Sequence, residues 1–101
     1  MDYQQLQDAL KTFGLGDRAT RQQIKARHRA LVKRYHPDRG TSDPVQMHRI
    51  NAAYEVLLRY CDNYRFCFNE EEFLEQVPEE RLRRQFGADP VWGGTDGGSD
   101  D

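Results

Sequence analysis

His36, Pro37 and Asp38 stand side by side, and they are the residues of this chain best equipped for chemistry. An imidazole can take or give a proton near neutral pH, and a carboxylate can orient it, so His36 and Asp38 could form an acid–base pair. The same groups could instead form a docking plug, with a ring that braces the loop and an anion that meets a cationic partner. Pro37 disfavours the helical conformation at His36, so a helix running up to Tyr35 stops there and the triplet falls in a turn. Turns are where binding groups are displayed. Pro and Asp are also ordinary turn formers, so the triplet alone does not decide. A small helical domain offers little cleft for an acid–base pair, which weighs against an enzyme.

Other chemistries find less support. Cys61 and Cys67 make no Cys-x-x-Cys pair, and the three histidines are scattered, so no zinc pattern is present. Both thiols are expected to be buried or half-buried. No metal or other cofactor is expected. Charge is more informative. Residues 1–60 hold 11 Lys/Arg against 6 Asp/Glu, whereas residues 61–101 hold 4 against 11. Residues 17–40 alone hold 8 basic residues against Asp17 and Asp38. A partner for this segment is expected to be acidic. The acidic C-terminal part could also shield it.

The elements that must position these groups read as helices. Tyr3, Leu6, Leu10 and Phe13 recur at helical spacing and are followed by Gly14 and Gly16, a short first helix with a glycine stop. Thr20 with Gln23 three residues on is a capping box, so a second helix begins at Arg21. Through Tyr35 it is about 22 Å long. Its apolar face is Ile24, His28, Leu31 and Tyr35; Lys25, Arg29 and Lys33 fall on the opposite face. Asp43 followed by Pro44 starts a third helix whose inner face is Met47, Ile50, Tyr54, Leu57 or Leu58, and Cys61. Two such helices, about 21–35 and 44–60, must pack antiparallel to bury their stripes, with the first helix closing the core. Stability is expected to rest on Ile24, Leu31, Tyr35, Met47, Ile50, Tyr54 and Leu57, with a cost of about 2–5 kcal/mol for Leu31→Ala. His28 is expected at the edge of the core; His48 and Arg49 should face solvent.

Beyond Cys61, Asn69 caps a short helix from Glu70 that Pro78 ends, and Glu79 to Phe86 forms another, stopped by Gly87. Phe66, Phe68, Phe73, Leu74, Leu82 and Phe86 could fold this stretch over the helical pair. The Gly- and Asp-rich run 87–101 reads as a flexible tail, with Trp92 as a local packing residue or partner anchor. No run is long and apolar enough to span a membrane, and the N-terminus lacks a signal-peptide pattern. The chain is expected to be an all-α, monomeric, cytoplasmic protein.

The span from Ile24 to Leu57 resembles the J domain of DnaJ-type co-chaperones. IKARHRALVKRYHPDRG is similar to that family's second helix and signature loop, and MHRINAAYEVL to its third helix; the first helix is a looser match. The resemblance implies a J domain over residues 1–65, a helical extension over 66–86 packed on or beside it, and the tail. It implies a regulator rather than an enzyme, one that binds a DnaK-type heat-shock chaperone and stimulates its ATP hydrolysis. Lys25, Arg29 and Lys33 would steer onto an acidic patch, and Arg39 matches a position where the family often has a basic contact. Asp38 would pair with polar and cationic groups of the chaperone, while His36 and Pro37 hold the loop in shape. The run RYCDNYRFCFNEEEF departs from the family's fourth helix, and no zinc module or β-rich client-binding domain is expected, so the chain would be either a minimal J protein or one whose clients are brought by residues 66–86. Two alternatives remain: a J-like scaffold that stimulates no ATPase, and a small helical nucleic-acid binder. The sequence pI near 5.9 speaks against the latter, and no nucleic acid is expected as a partner.

Overall fold

The computed structural model describes residues 1–35 and 43–87. They contain five helices and no strand: α1 (Tyr3–Phe13), α2 (Arg21–Tyr35), α3 (Pro44–Asp62), α4 (Glu70–Gln76) and α5 (Pro78–Gly87). The chain is therefore all-α. It divides into two compact units, Met1–Tyr64 and a second that begins at Arg65.

Each helix of the first unit starts and stops for a local reason. The Asp2 carboxylate accepts from the Gln5 backbone N–H at 2.8 Å, and the Gln5 side chain accepts from the Asp2 N–H at 2.9 Å, closing a capping box. At its other end Gly14 takes the left-handed conformation with φ 65°. Its N–H donates to the Lys11 carbonyl at 3.0 Å, and that of Leu15 to the Leu10 carbonyl at 2.9 Å. This pair of bonds satisfies carbonyls that a bare helix end would orphan, and it brings Leu15 back toward Leu10. Thr20 and Gln23 form the expected box on α2: Gln23 N–H donates to Thr20 Oγ1 at 3.0 Å, and Thr20 N–H to Gln23 Oε1 at 2.7 Å. Asp43 caps α3 by accepting from the Gln46 N–H at 3.1 Å, with Pro44 in the first turn, where a missing N–H costs nothing.

The core of this unit is Ala9, Phe13, Ile24, Ile50, Ala53 and Leu57, of which Phe13 and Ile50 are wholly enclosed. Leu6, Leu10, Leu15, Leu31, Tyr35, Met47, Tyr54, Val56 and Cys61 pack around it, half-buried. The α2–α3 pair is antiparallel: Arg21, at the start of α2, forms an ion pair with Asp62 at the end of α3, while His28 meets Asn51 and Tyr54 midway along both.

Several expectations change. Tyr3 is exposed, while Phe13 is enclosed as its place in the stripe suggests and Ala9 and Ala53 are buried beside it. Leu31, Tyr35, Met47 and Tyr54 lie at the core's edge, so Leu31→Ala removes only part of a burial term. Between Leu57 and Leu58, Leu57 is the buried one. The third helix runs two residues past 60, to Asp62. Cys61 is half-buried, but Cys67 is exposed.

In the second unit Asn69 caps α4, accepting from the Glu72 N–H at 2.8 Å. Pro78 both ends the run from α4 and opens α5, whose last residue is Gly87. The two helices pack on each other, yet neither contains a fully buried residue. The tail from 88 onward, with Trp92, lies outside the described residues.

Candidate functional site

The triplet His36-Pro37-Asp38 and Arg39 lie outside the described residues, between Tyr35 at the end of α2 and the Asp43 cap of α3. The structure describes the helix that leads into them. α2 contains six Lys and Arg residues and no acid in the sequence RQQIKARHRALVKRY. They are not equivalent.

Three are occupied within the fold. Arg21 pairs with Asp62. The Arg27 guanidinium reaches across to α1, with Nη1 close to the place a side chain on Gly14 would occupy. The Arg34 guanidinium stands over the Tyr35 ring, 5.5 Å from its centroid, a cation–π contact. The other three are Lys25, Arg29 and Lys33, four residues apart on one face and all exposed. Among the described residues no carboxylate lies within ion-pair distance of them.

What turns that row outward is the packing on the other side. Ile24 is anchored in the core, 4% exposed. One turn on, the His28 ring stacks on Tyr54 with centroids 3.8 Å apart and planes within 4°, and Phe13 lies parallel to both at 6.2–6.3 Å. His28 Nε2 lies 3.2 Å from Asn51 Oδ1, a hydrogen bond in the tautomer that protonates Nε2. With Ile24 and His28 fixed, Lys25 and Arg29, each rotated by one helical step, must point away from α3. Lys33 and Arg34 also sit in the last turn, where cations are favoured by the helix dipole.

Thus the structure brings Lys25, Arg29 and Lys33 into one exposed cationic row that runs toward the C-terminal end of α2. His48 and Arg49, expected to face solvent, do so. His28 is a packing residue at the core's edge. Sequence reasoning overlooked Asn51, whose side chain ties α3 to His28; its position three residues before Tyr54, on the same helical face, was the available signal. It also overlooked the Arg21–Asp62 pair, which joins residues too far apart in sequence for any local pattern to reveal. Among the described residues no group of His, Cys, Asp and Glu could hold a metal ion, and no helix is long and apolar enough to cross a membrane. Chemically, a row of exposed cations can attract and orient an acidic macromolecular surface.

Residues 8–62 match the family model described as the DnaJ domain. The chain is 45% identical over 51 residues to "Chaperone protein DnaJ" of Ureaplasma parvum, covering 50% of this chain and 14% of that protein. It is 40% identical over 53 residues to "Chaperone protein DnaJ" of Carboxydothermus hydrogenoformans, with 50% and 14% covered. It is 38% identical over 50 residues to "Chaperone protein dnaJ 39" of Arabidopsis thaliana, covering 46% and 12%. The match thus spans only a small part of each of these relatives. No solved structure matches the chain significantly.

Proposed function

This chain belongs to the DnaJ domain family, and from that premise we propose that it is a co-chaperone that docks on a DnaK-type chaperone and stimulates its ATP hydrolysis. The observation that carries the reading is the row Lys25, Arg29 and Lys33, exposed and, among the described residues, without a carboxylate in ion-pair distance, on a helix without a single acid that precedes His36-Pro37-Asp38 in the sequence. In this reading the row steers and registers the protein on an acidic patch of the chaperone, and Arg39 adds a contact beside it. Asp38 then meets cationic and polar groups of the partner, with His36 and Pro37 shaping the loop.

No atom of the protein takes part in the hydrolysis. It acts by binding the hydrolysis-competent state of the chaperone more tightly than the other, and so shifts the population toward it. It is a cytoplasmic regulator that needs no cofactor. The extension over residues 66–86 is the segment we assign to client contact.

Single-turnover ATP hydrolysis by a DnaK-type chaperone tests this. The native chain should accelerate hydrolysis, and His36→Gln and Asp38→Asn should each abolish the acceleration while leaving thermal unfolding unchanged. Lys25→Glu with Arg29→Glu should weaken the interaction and raise the concentration needed for half-maximal effect. A native protein that binds the chaperone without accelerating hydrolysis would identify a J-like scaffold instead.

A further inference from the structure

Among its described residues the unit that begins at Arg65 shows ion pairs and helix caps but no fully buried side chain. Arg81 pairs with Glu75 at 3.3 Å, Arg83 with Glu80 at 3.0 Å, and Arg84 with Glu70. Glu80 binds so closely, by hydrogen bond and charge, that it holds the Arg83 guanidinium still more firmly protonated. Every cation of α5 is therefore committed to a glutamate of the same unit. Glu71, Glu72 and Glu79 have no cation within ion-pair distance among the described residues. The uncommitted charge of the two helices is negative throughout.

Large apolar side chains accompany it on the surface. Leu82 is 55% and Phe86 66% exposed, and Phe68 reaches 90%. On α5, Glu79, Leu82 and Phe86 follow one another at intervals of three and four, so they form one stripe: an unpaired carboxylate heading two exposed apolar side chains. A run of exposed apolar groups bordered by charge is characteristic of an interaction site. The sign of the border narrows the partner. Nucleic acid and anionic lipid headgroups would be repelled by Glu79 at the head of the stripe, and Glu71 and Glu72 of α4 add negative charge to the same unit.

We propose that the Glu79–Leu82–Phe86 stripe docks a polypeptide segment whose apolar side chains are flanked by lysine or arginine. The apolar side chains cover Leu82 and Phe86, and the flanking cations meet the carboxylates that α5's own arginines leave free. The stripe gives the client contact assigned above its chemistry, and in that sense rests on the co-chaperone reading. The binding step itself requires no chaperone and no ATP.

Fluorescence anisotropy with the full chain tests this, using a labelled short peptide with a leucine-rich centre and lysine flanks. Two control peptides are needed, one with glutamate flanks and one with the leucines replaced by serine. The lysine-flanked peptide should bind, and each control should bind about tenfold more weakly. Leu82→Ser combined with Phe86→Ser should weaken the lysine-flanked peptide by about tenfold or more. Glu71→Gln with Glu79→Gln, which leaves the apolar stripe intact, should abolish the preference for lysine over glutamate flanks. No binding of the lysine-flanked peptide, or equal binding of the glutamate-flanked one, would overturn the proposal. So would self-association in sedimentation that the Leu82→Ser/Phe86→Ser change removes, because the occupant would then be a second copy of this chain. ATPase stimulation without peptide should be unaffected by these substitutions. A native chain that stimulates but binds no peptide therefore refutes this inference alone, and one that binds peptide but does not stimulate refutes only the co-chaperone role.

Discussion

Up to Tyr64 the chain encloses an apolar core and displays a row of cations; on α4 and α5 it encloses no side chain fully and pairs each arginine of α5 with a glutamate. In the first unit Phe13 and Ile50 are sealed inside, and Lys25, Arg29 and Lys33 stand in solvent with no carboxylate in ion-pair distance among the described residues. In the second, Arg81, Arg83 and Arg84 are each held by a glutamate, while Phe68, Leu82 and Phe86 are open. The difference teaches which kind of partner each unit can take. A unit whose stability comes from burial can leave its charges free, because those charges are not needed to hold it together. Exposed ion pairs such as those of α5 add little stability each, and the uncovered apolar area beside them is available to another molecule.

This contrast can be broken most directly at Phe13. Phe13→Ala should destabilise the first unit by about 3–5 kcal/mol, measured by urea unfolding; a much smaller loss would mean that the core is less closed than described. Leu31→Ala should cost about 1–2 kcal/mol, since only part of that side chain leaves water. Gly14→Ala should cost about 1–2 kcal/mol for a different reason: the space beside Gly14 is adequate, but an L-residue is disfavoured at φ 65°. At the other extreme, Leu82→Ala should change unfolding by no more than about 0.5 kcal/mol. A larger effect at Leu82 would show that the second unit has a buried apolar core after all, and the distinction between the two units would collapse.

The fold was legible where local chemistry dictates it. Thr20 with Gln23, Asp43 with Pro44, and Asn69 announce their helix starts, and each start is where those residues place it. The four-residue spacing of Lys25, Arg29 and Lys33 also revealed the outward row. Less legible was anything decided by how one helix lies on another. Tyr3 shares a helical face with Leu6, Leu10 and Phe13, yet it is exposed while Ala9, which the stripe does not single out, is buried. Periodicity ranks Leu31 and Ile50 alike, whereas the packing encloses one and leaves the other at the rim. Asn51 and the Arg21–Asp62 pair are tertiary facts with no local signature. Pro78 was read as a stop, while it also serves as a start, because a proline fits the first turn of a helix as well as it ends the one before.

The absence of any acid on α2 bears on more than docking. Arg21, Lys25, Arg29 and Lys33 follow one another at the spacing where like charges repel along a helix, each contact unfavourable by a few tenths of a kcal/mol. Arg21 is relieved by Asp62, but among the described residues no carboxylate relieves the remaining three. Added salt should therefore ease the repulsion within the helix and at the same time screen the attraction that brings an acidic surface to it. Ionic strength acts on this one row in opposite senses, tightening the fold while loosening the encounter, so the conditions that best preserve the protein are not those in which it associates most strongly.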